Sequence, residues 1–346
     1  MSVLDDLKMI HHRDAQDALG VVAGQWQQLK FEFRVSSFEF RNCTKVVVAG
    51  MGGSALAADM FKSWPGLNLP FEVVKNYDLP DYVDAKTLLI ASSYSGNTEE
   101  TLAAFAQGRK RNAQIAVIAS GGKLAELAGE NNLPLYKIPA GLQPRMAVLY
   151  NFSALAQLFA ELKFISGDKL NQLSQTADWL GKQAKKLLPD VPAKNNYAKT
   201  LAQELVGSSI AVYSGPKLFP AAYKWKINFN ENAKNIAWCN QYPEFNHNEF
   251  LGWTSHPVNK PYKVVELRSN LENPGVVKRF LASEKLLSGK RPYPIVVNAE
   301  GENELQQLLW TIQLGDFASI YLALLNGINP TPVDLIEKLK AELSGS

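Results

Sequence analysis

The stretch Lys45-Val-Val-Val-Ala49-Gly50-Met51-Gly52-Gly53-Ser54-Ala55 decides the fold. A short β-branched run is a buried strand, and glycines directly after it permit a tight turn into a helix. The same alternation continues downstream. Phe71-Glu-Val-Val74 is expected to be a second strand, Thr87-Leu-Leu-Ile-Ala91 a third and Gln114-Ile-Ala-Val-Ile118 a fourth. Helices are expected over 54–64, over 97–110 and from about Lys123. Strands and helices at this spacing imply parallel strands joined by crossover helices.

Upstream, residues 1–36 read as helix, with Leu4, Leu7, Ile10, Leu19, Val22 and Trp26 at roughly helical spacing. Residues 146–186 read as mainly helical. The polar, proline-bearing stretch 188–196 is the expected domain boundary. The alternation then restarts, with strands at 209–213, 262–267 and 294–297. A long apolar helix over 305–325 ends near Gly327, and Pro332 opens a last amphipathic helix. The expectation is α/β, with two diverged doubly wound domains, each a mostly parallel sheet flanked by helices. It places an N-terminal helical segment at 1–40, a first domain at 41–190 and a second at 191–346.

The composition of the 346 residues narrows the function. A net charge of +3 is too small to make nucleic acid the main partner, although a local basic pocket could steer a small anion. Two cysteines, Cys43 and Cys239, build neither a disulfide framework nor a four-cysteine zinc site. No secretory pattern opens the chain, and no apolar stretch is expected to span a bilayer. The expectation is a soluble cytoplasmic protein with no membrane partner.

Four segments carry chemistry. In the first, Gly50-Met-Gly52-Gly53-Ser54, backbone N–H groups and a helix N-terminus can approach an anion. A plain strand–helix turn is the simpler reading. Dinucleotide binding is a rival, because Gly50, Gly52 and Ala55 fit a relaxed glycine fingerprint. That fingerprint wants an acid near the end of the second strand, where Lys75 stands instead. The second segment is Ser92-Ser93-Tyr94-Ser95-Gly96-Asn97-Thr98, whose hydroxyls precede a helix and can donate to phosphate oxygens. Helix capping by Thr98 is the plainer account. The third is Gly141-Leu-Gln-Pro144-Arg145, where an arginine at a helix start is either solvated or placed for an anionic oxygen. The fourth spans Asn230-Glu231-Asn-Ala-Lys-Asn235 and Glu244-Phe-Asn-His247-Asn-Glu249. A carboxylate and an imidazole suit aldose–ketose isomerisation, which needs a base at C2 and a group for the ring oxygen. A polar loop with solvated side chains is the alternative. One histidine is too few for a metal site, and no cofactor or metal is expected.

The pair Gly52-Gly53-Ser54 and Ser93-Tyr-Ser95-Gly-Asn-Thr98 resembles the phosphosugar signature of sugar isomerase (SIS) domains. The matching Ser54, Ser93, Ser95 and Thr98 would bind the sugar phosphate. The succession of these motifs with GLQPR, NENAKN, EFNHNEF and a final LIEKLKAEL helix resembles bifunctional phosphoglucose/phosphomannose isomerases, from about residue 40 to the end. That resemblance implies Glu231 as the C2 base and His247 as the ring-opening group, reaching a partner subunit's site in a homodimer. It implies Arg145 as the enediolate's support, and Lys340, or else Lys338, as a lysine lining the site. The longer N-terminal helical segment departs from compact archaeal members, and its His11 and His12 read as surface residues. Competing functions are a non-catalytic phosphosugar sensor, another SIS enzyme acting on aminosugar phosphates, and the dinucleotide oxidoreductase. The first would lack a base and carry a DNA-binding helix, which the acidic start of the chain does not suit.

Overall fold

The computed structural model describes residues 3–36, 38–40, 42–254 and 261–344. The chain divides into two compact units, Gly24–Gly181 and Met1–Ala23 with Lys182–Ser346. These bounds differ from the expected domains at the front, where residues 1–23 cluster with the C-terminal half.

The expected N-terminal helix is broken. Short turns flank α1 (Leu7–Arg13) and α2 (Ala18–Gly24), and Asp14 sits buried between the two helices, accepting from Ala18 N and Leu19 N at 2.8 Å each. A buried aspartate at that point satisfies the start of α2 in place of a preceding helical turn. His11 and His12 are both exposed.

The Gly24–Gly181 unit contains β1 (Lys45–Ala49), α3 (Gly52–Lys62), β2 (Phe71–Val74), β3 (Thr87–Ser93), α4 (Glu99–Lys110), β4 (Gln114–Ala119), α5 (Gly122–Glu130) and β5 (Leu135–Lys137). Two longer helices follow, α6 (Val148–Glu161) and α7 (Gly167–Ala184). All pairings are parallel, in the order β2-β1-β3-β4-β5. Every residue of β3 is buried, because helices cover both faces. On one face Val47, Leu89 and Val117 pack with Ala104, Phe105 and Leu124 of α4 and α5. On the other, Phe61 of α3 meets Phe152 and Phe159 of α6 at 5.8 and 4.8 Å between ring centroids. The chain order reverses between β1 and β3. In open α/β sheets ligands bind beyond the carboxyl ends of the strands at such a point.

The other unit repeats the plan. It carries α8 (Tyr197–Leu205), β6 (Ser209–Ser214), α9 (Phe219–Glu231), β7 (Ala237–Gln241), α10 (Glu249–Gly252), β8 (Tyr262–Arg268), α11 (Pro274–Leu286), β9 (Ile295–Asn298), α12 (Glu304–Leu325) and α13 (Asp334–Ser344). Its parallel sheet has the order β7-β6-β8-β9. Two strands escape a sequence reading. β5 is three residues long, and β7 reads Ala-Trp-Cys-Asn-Gln, a half-buried edge strand without an apolar run.

Helix α12 lies in the core. It is long and apolar enough to cross a bilayer by length and composition, yet 94% of that stretch is buried inside the protein. It carries Asp316, which pairs at 2.5 Å with Lys224 of α9, both side chains 2% exposed. A helix apolar all round is a core helix when other helices cover it.

Candidate active site

Two turns meet at the switch point of the first sheet. The chain leaves β1, turns through Gly50 and Met51, and enters α3 at Gly52, whose φ is +50°. A Cβ on Gly53 would stand 2.7 Å from the Pro144 carbonyl oxygen, so only glycine lets the Pro144–Met146 turn lie against the start of α3. Ser54 is buried, and its hydroxyl accepts from Tyr94 N at 3.2 Å, tying the first turn to the one after β3.

In that second turn the Ser93 hydroxyl lies 2.8 Å from the Thr98 hydroxyl and accepts from Gly96 N at 3.1 Å. Ser95 is exposed, its hydroxyl accepting from Asn97 N at 3.3 Å. Tyr94 locks the turn from beneath. Its phenol donates to Pro139 O at 3.1 Å and accepts from Leu142 N at 2.9 Å, and burial pushes its pKa up.

Neither helix end is closed by a side chain. Met51 and Thr98 occupy the cap positions of α3 and α4, and neither makes a side-chain cap hydrogen bond. The capping reading of Thr98 therefore fails on geometry: its backbone caps and its hydroxyl does not. What results is a cradle of hydroxyls and helix N-termini, each end carrying about half a positive charge.

Arg145 belongs to the same unit. It lies in the short turn Pro144–Met146 and is only 3% exposed, which removes the solvated-surface reading. Its guanidinium donates to Gln143 Oε1 at 3.4 Å. Lys75, which stands where the dinucleotide fingerprint wants an acid, pairs with Asp59 of α3 at 2.6 Å.

The other unit carries the acid and the imidazole. Glu231 is the last residue of α9 and is half-buried. Lys234, with φ +50°, folds its ammonium back under that helix end. It donates to Glu231 O at 2.8 Å and reaches Asn329 O and Pro332 O at 3.2 and 2.8 Å. A cation closing a helix C-terminus suits the dipole. It also ties the segment that leads into α13 to the end of α9. Sequence reading passed over Lys234; its position inside the NENAKN block was the available signal.

His247 ends a short turn, Glu244–His247, and is exposed. The structure does not bring Glu231 and His247 together in one chain. Asn235 donates to Ser208 O at 2.9 Å, which places the end of α9 at the edge where β6 begins. His247 follows the far end of β7. Five extended residues, roughly 16 Å, separate those edges. Lys340 is exposed in α13 and pairs with Glu337 at 2.8 Å; Lys338 is exposed as well. Among the described residues, no three His, Cys, Asp or Glu side chains come together as metal ligands.

The second unit has the same pair of turns, filled differently. A Cβ on Gly215, after β6, would stand 2.2 Å from Glu272 Oε2. That carboxylate, from the turn after β8, accepts from Lys217 N at 3.2 Å and Asn273 N at 2.9 Å. In this unit an internal carboxylate lies between the two turns.

Known proteins share this frame. Residues 39–159 match the SIS domain model, and residues 194–343 match the model of the bacterial phospho-glucose isomerase C-terminal SIS domain. A bifunctional phosphoglucose/phosphomannose isomerase from Caldicellulosiruptor bescii is 36% identical, over 87% of this chain and 89% of that protein. The chain belongs to the bifunctional phosphoglucose/phosphomannose isomerase family. A second member of that family, from Thermoplasma volcanium, is 34% identical over 92% of this chain and 96% of its own length. The fold of this chain also matches a solved glucose-6-phosphate isomerase like protein from Thermus thermophilus. The TM-score is 0.66 at 19% identity, covering 97% of this chain and 100% of that one.

Proposed function

We propose that this protein interconverts glucose 6-phosphate, and mannose 6-phosphate, with fructose 6-phosphate through a cis-enediol. The observation that carries the reading is the cradle between β1 and β3, where two uncapped helix starts and four hydroxyls offer donors to a phosphate dianion. Ser54, Ser93, Ser95, Thr98 and the backbone of Gly52 and Gly53 hold that phosphate. Glu231 takes the proton from C2 of the open aldose and returns it at C1, so that no net proton is consumed. Arg145, a buried guanidinium, steadies the negative charge of the enediolate. His247 moves the proton between the anomeric hydroxyl and the ring oxygen during ring opening.

The separation of Glu231 and His247 along one chain supports a homodimer in which each subunit donates His247 to its partner's substrate. The exposure of Lys340 and of Leu335, Leu339 and Leu343 on α13 accords with a helix that completes its surroundings in such an assembly. The unbridged Cys43 and Cys239 fit a cytoplasmic enzyme. A coupled assay starting from fructose 6-phosphate tests the function, with glucose 6-phosphate and mannose 6-phosphate read separately. Formation of both aldoses is the expected result; formation of neither sinks the reading.

A further inference from the structure

The segment that carries His247 is tied down at almost every side chain except the imidazole itself. Phe245 is fully buried, 4.6 Å from the Tyr213 ring and 5.0 Å from the Tyr242 ring. Asn246 donates to Ser283 Oγ of α11 at 2.8 Å. Asn248 donates to Glu244 Oε1 at 2.5 Å. Among the described residues the His247 side chain makes no hydrogen bond, and it stands exposed. A short segment anchored through Phe245 and Asn246, with one imidazole left out, is a mount.

Glu249 holds the far end of that mount. Its carboxylate accepts from three donors. Trp238 Nε1 donates to Oε1 at 3.2 Å, Asn240 Nδ2 to Oε2 at 2.8 Å, and the Tyr213 hydroxyl to Oε1. The Tyr213 oxygen in turn accepts from Trp253 Nε1 at 3.1 Å. Burial first, and the Glu249 charge second, hold the Tyr213 hydroxyl far above the ordinary phenol range, so it remains a donor to this carboxylate. Two of the three donors, Trp238 and Asn240, sit on β7, and the third lies near the end of the sheet's next strand, β6. Glu249 therefore fixes the turn to the sheet, only two residues beyond the imidazole.

We infer that Glu249 is a positioning residue for His247, holding the ring-opening imidazole on a sheet-anchored mount through Tyr213, Trp238 and Asn240. The inference rests on the ring-opening role proposed for His247. Its consequence is selective. Loosening the mount impairs the step that needs His247 and spares proton transfer at C2.

The test compares two substrates in four proteins: parent, His247→Ala, Glu249→Gln and the double variant. The cyclic substrate is glucose 6-phosphate. The second is a 4,5-dideoxy hexose 6-phosphate, which cannot close a furanose or pyranose ring. Misplacement of a catalytic group by about 1 Å costs up to about 100-fold. Glu249→Gln is expected to lower kcat on the cyclic substrate by about 10- to 100-fold and to leave the ring-blocked one within about two-fold. In the His247→Ala background it should add nothing further. Equal losses on both substrates, or losses that multiply in the double variant, would show a general structural role and overturn the inference. If Glu249→Gln does not fold, Tyr213→Phe decides, since it removes one donor and keeps the ring; the same pattern is expected at smaller amplitude, and parental kinetics overturn the inference. Unchanged cyclic turnover in His247→Ala alone would instead remove the ring-opening role, and the inference with it.

Discussion

The Thr98 hydroxyl lies 2.8 Å from the Ser93 hydroxyl, turned toward the strand that precedes it and away from the helix it introduces. A threonine at a helix start normally spends that oxygen on the N–H groups of the first turn. Here those groups stay open, and the two hydroxyls stand together at the mouth of the cradle. Thr98→Ala should therefore act on binding more than on the helix. Loss of one donor to a charged phosphate is expected to cost about 1.5–3 kcal/mol of affinity. The stability cost should be about 1 kcal/mol or less, from the hydroxyl pair alone. Thr98→Ser should recover both. Ser95→Ala, at an exposed position, should lose affinity with no measurable change in stability. Inhibition by sugar phosphates and chemical denaturation measure the two quantities; unaltered inhibition in both alanine variants would remove these hydroxyls from the cradle.

In the second unit, Glu272 supplies an internal carboxylate to Lys217 N and Asn273 N. Its removal leaves a helix entrance without its anion. Glu272→Ala is expected to destabilise the protein by about 1–3 kcal/mol. Inorganic phosphate should then raise its Tm more than it raises the parent's, because the emptied turn can take a free anion. Equal shifts in the two proteins would mean that the carboxylate is not standing in for a ligand.

The helix that presents Glu231 is held by a polar stripe at a four-residue spacing. Lys224 pairs with Asp316, Asn228 Nδ2 donates to the same carboxylate, and Asn232 Nδ2 donates to Ser319 Oγ at 2.9 Å. Breaking one half of a buried pair leaves an uncompensated charge, at a typical cost of about 3–5 kcal/mol. Lys224→Met should fall in that range by urea denaturation. The double change Lys224→Met with Asp316→Leu should be milder than Lys224→Met. A double variant no more stable than the single one would show that Asn228 and other partners, not the lost lysine charge, set the cost.

Much of this was legible in the sequence, for stated reasons. Val46, Val47 and Val48 announce a buried strand because both faces of a parallel sheet are covered, and the glycines after them mark a tight turn into a helix. Gly52, Ser54, Ser93, Ser95 and Thr98 were readable as a cradle because all belong to turns at strand ends. Other features have no local signature. β7 is a polar edge strand, recognisable only through its pairing with β6. Arg145 reads as either solvated or placed for an anionic oxygen, and only the fold shows that its turn lies against Gly53 and is buried. Nothing in the spacing of Lys234 or Glu249 reveals their partners. Those lie on the 329–332 segment and on Trp238 and Asn240 of β7 and Tyr213 of β6.

Sharing of His247 between subunits has a direct kinetic signature. Glu231→Gln should fold normally and lose about 10²–10⁴-fold in activity, because the amide fills the same space but cannot take the C2 proton. His247→Ala should be most impaired on cyclic substrate. If each subunit lends its imidazole to the other, a mixed dimer of the two variants has one site with both groups intact and one with both defective. Random exchange makes about half of the dimers mixed, so about a quarter of parental activity is the ceiling under two-fold symmetry. Exchange itself must be followed by native mass spectrometry, since dimers that never dissociate would return nothing whatever the arrangement. Activity that rises with the mixed population toward that ceiling is the expected outcome. Full exchange with no recovered activity would place Glu231 and His247 in the service of the same chain's substrate. The separation across β7 would then have to be closed by a rearrangement within one subunit.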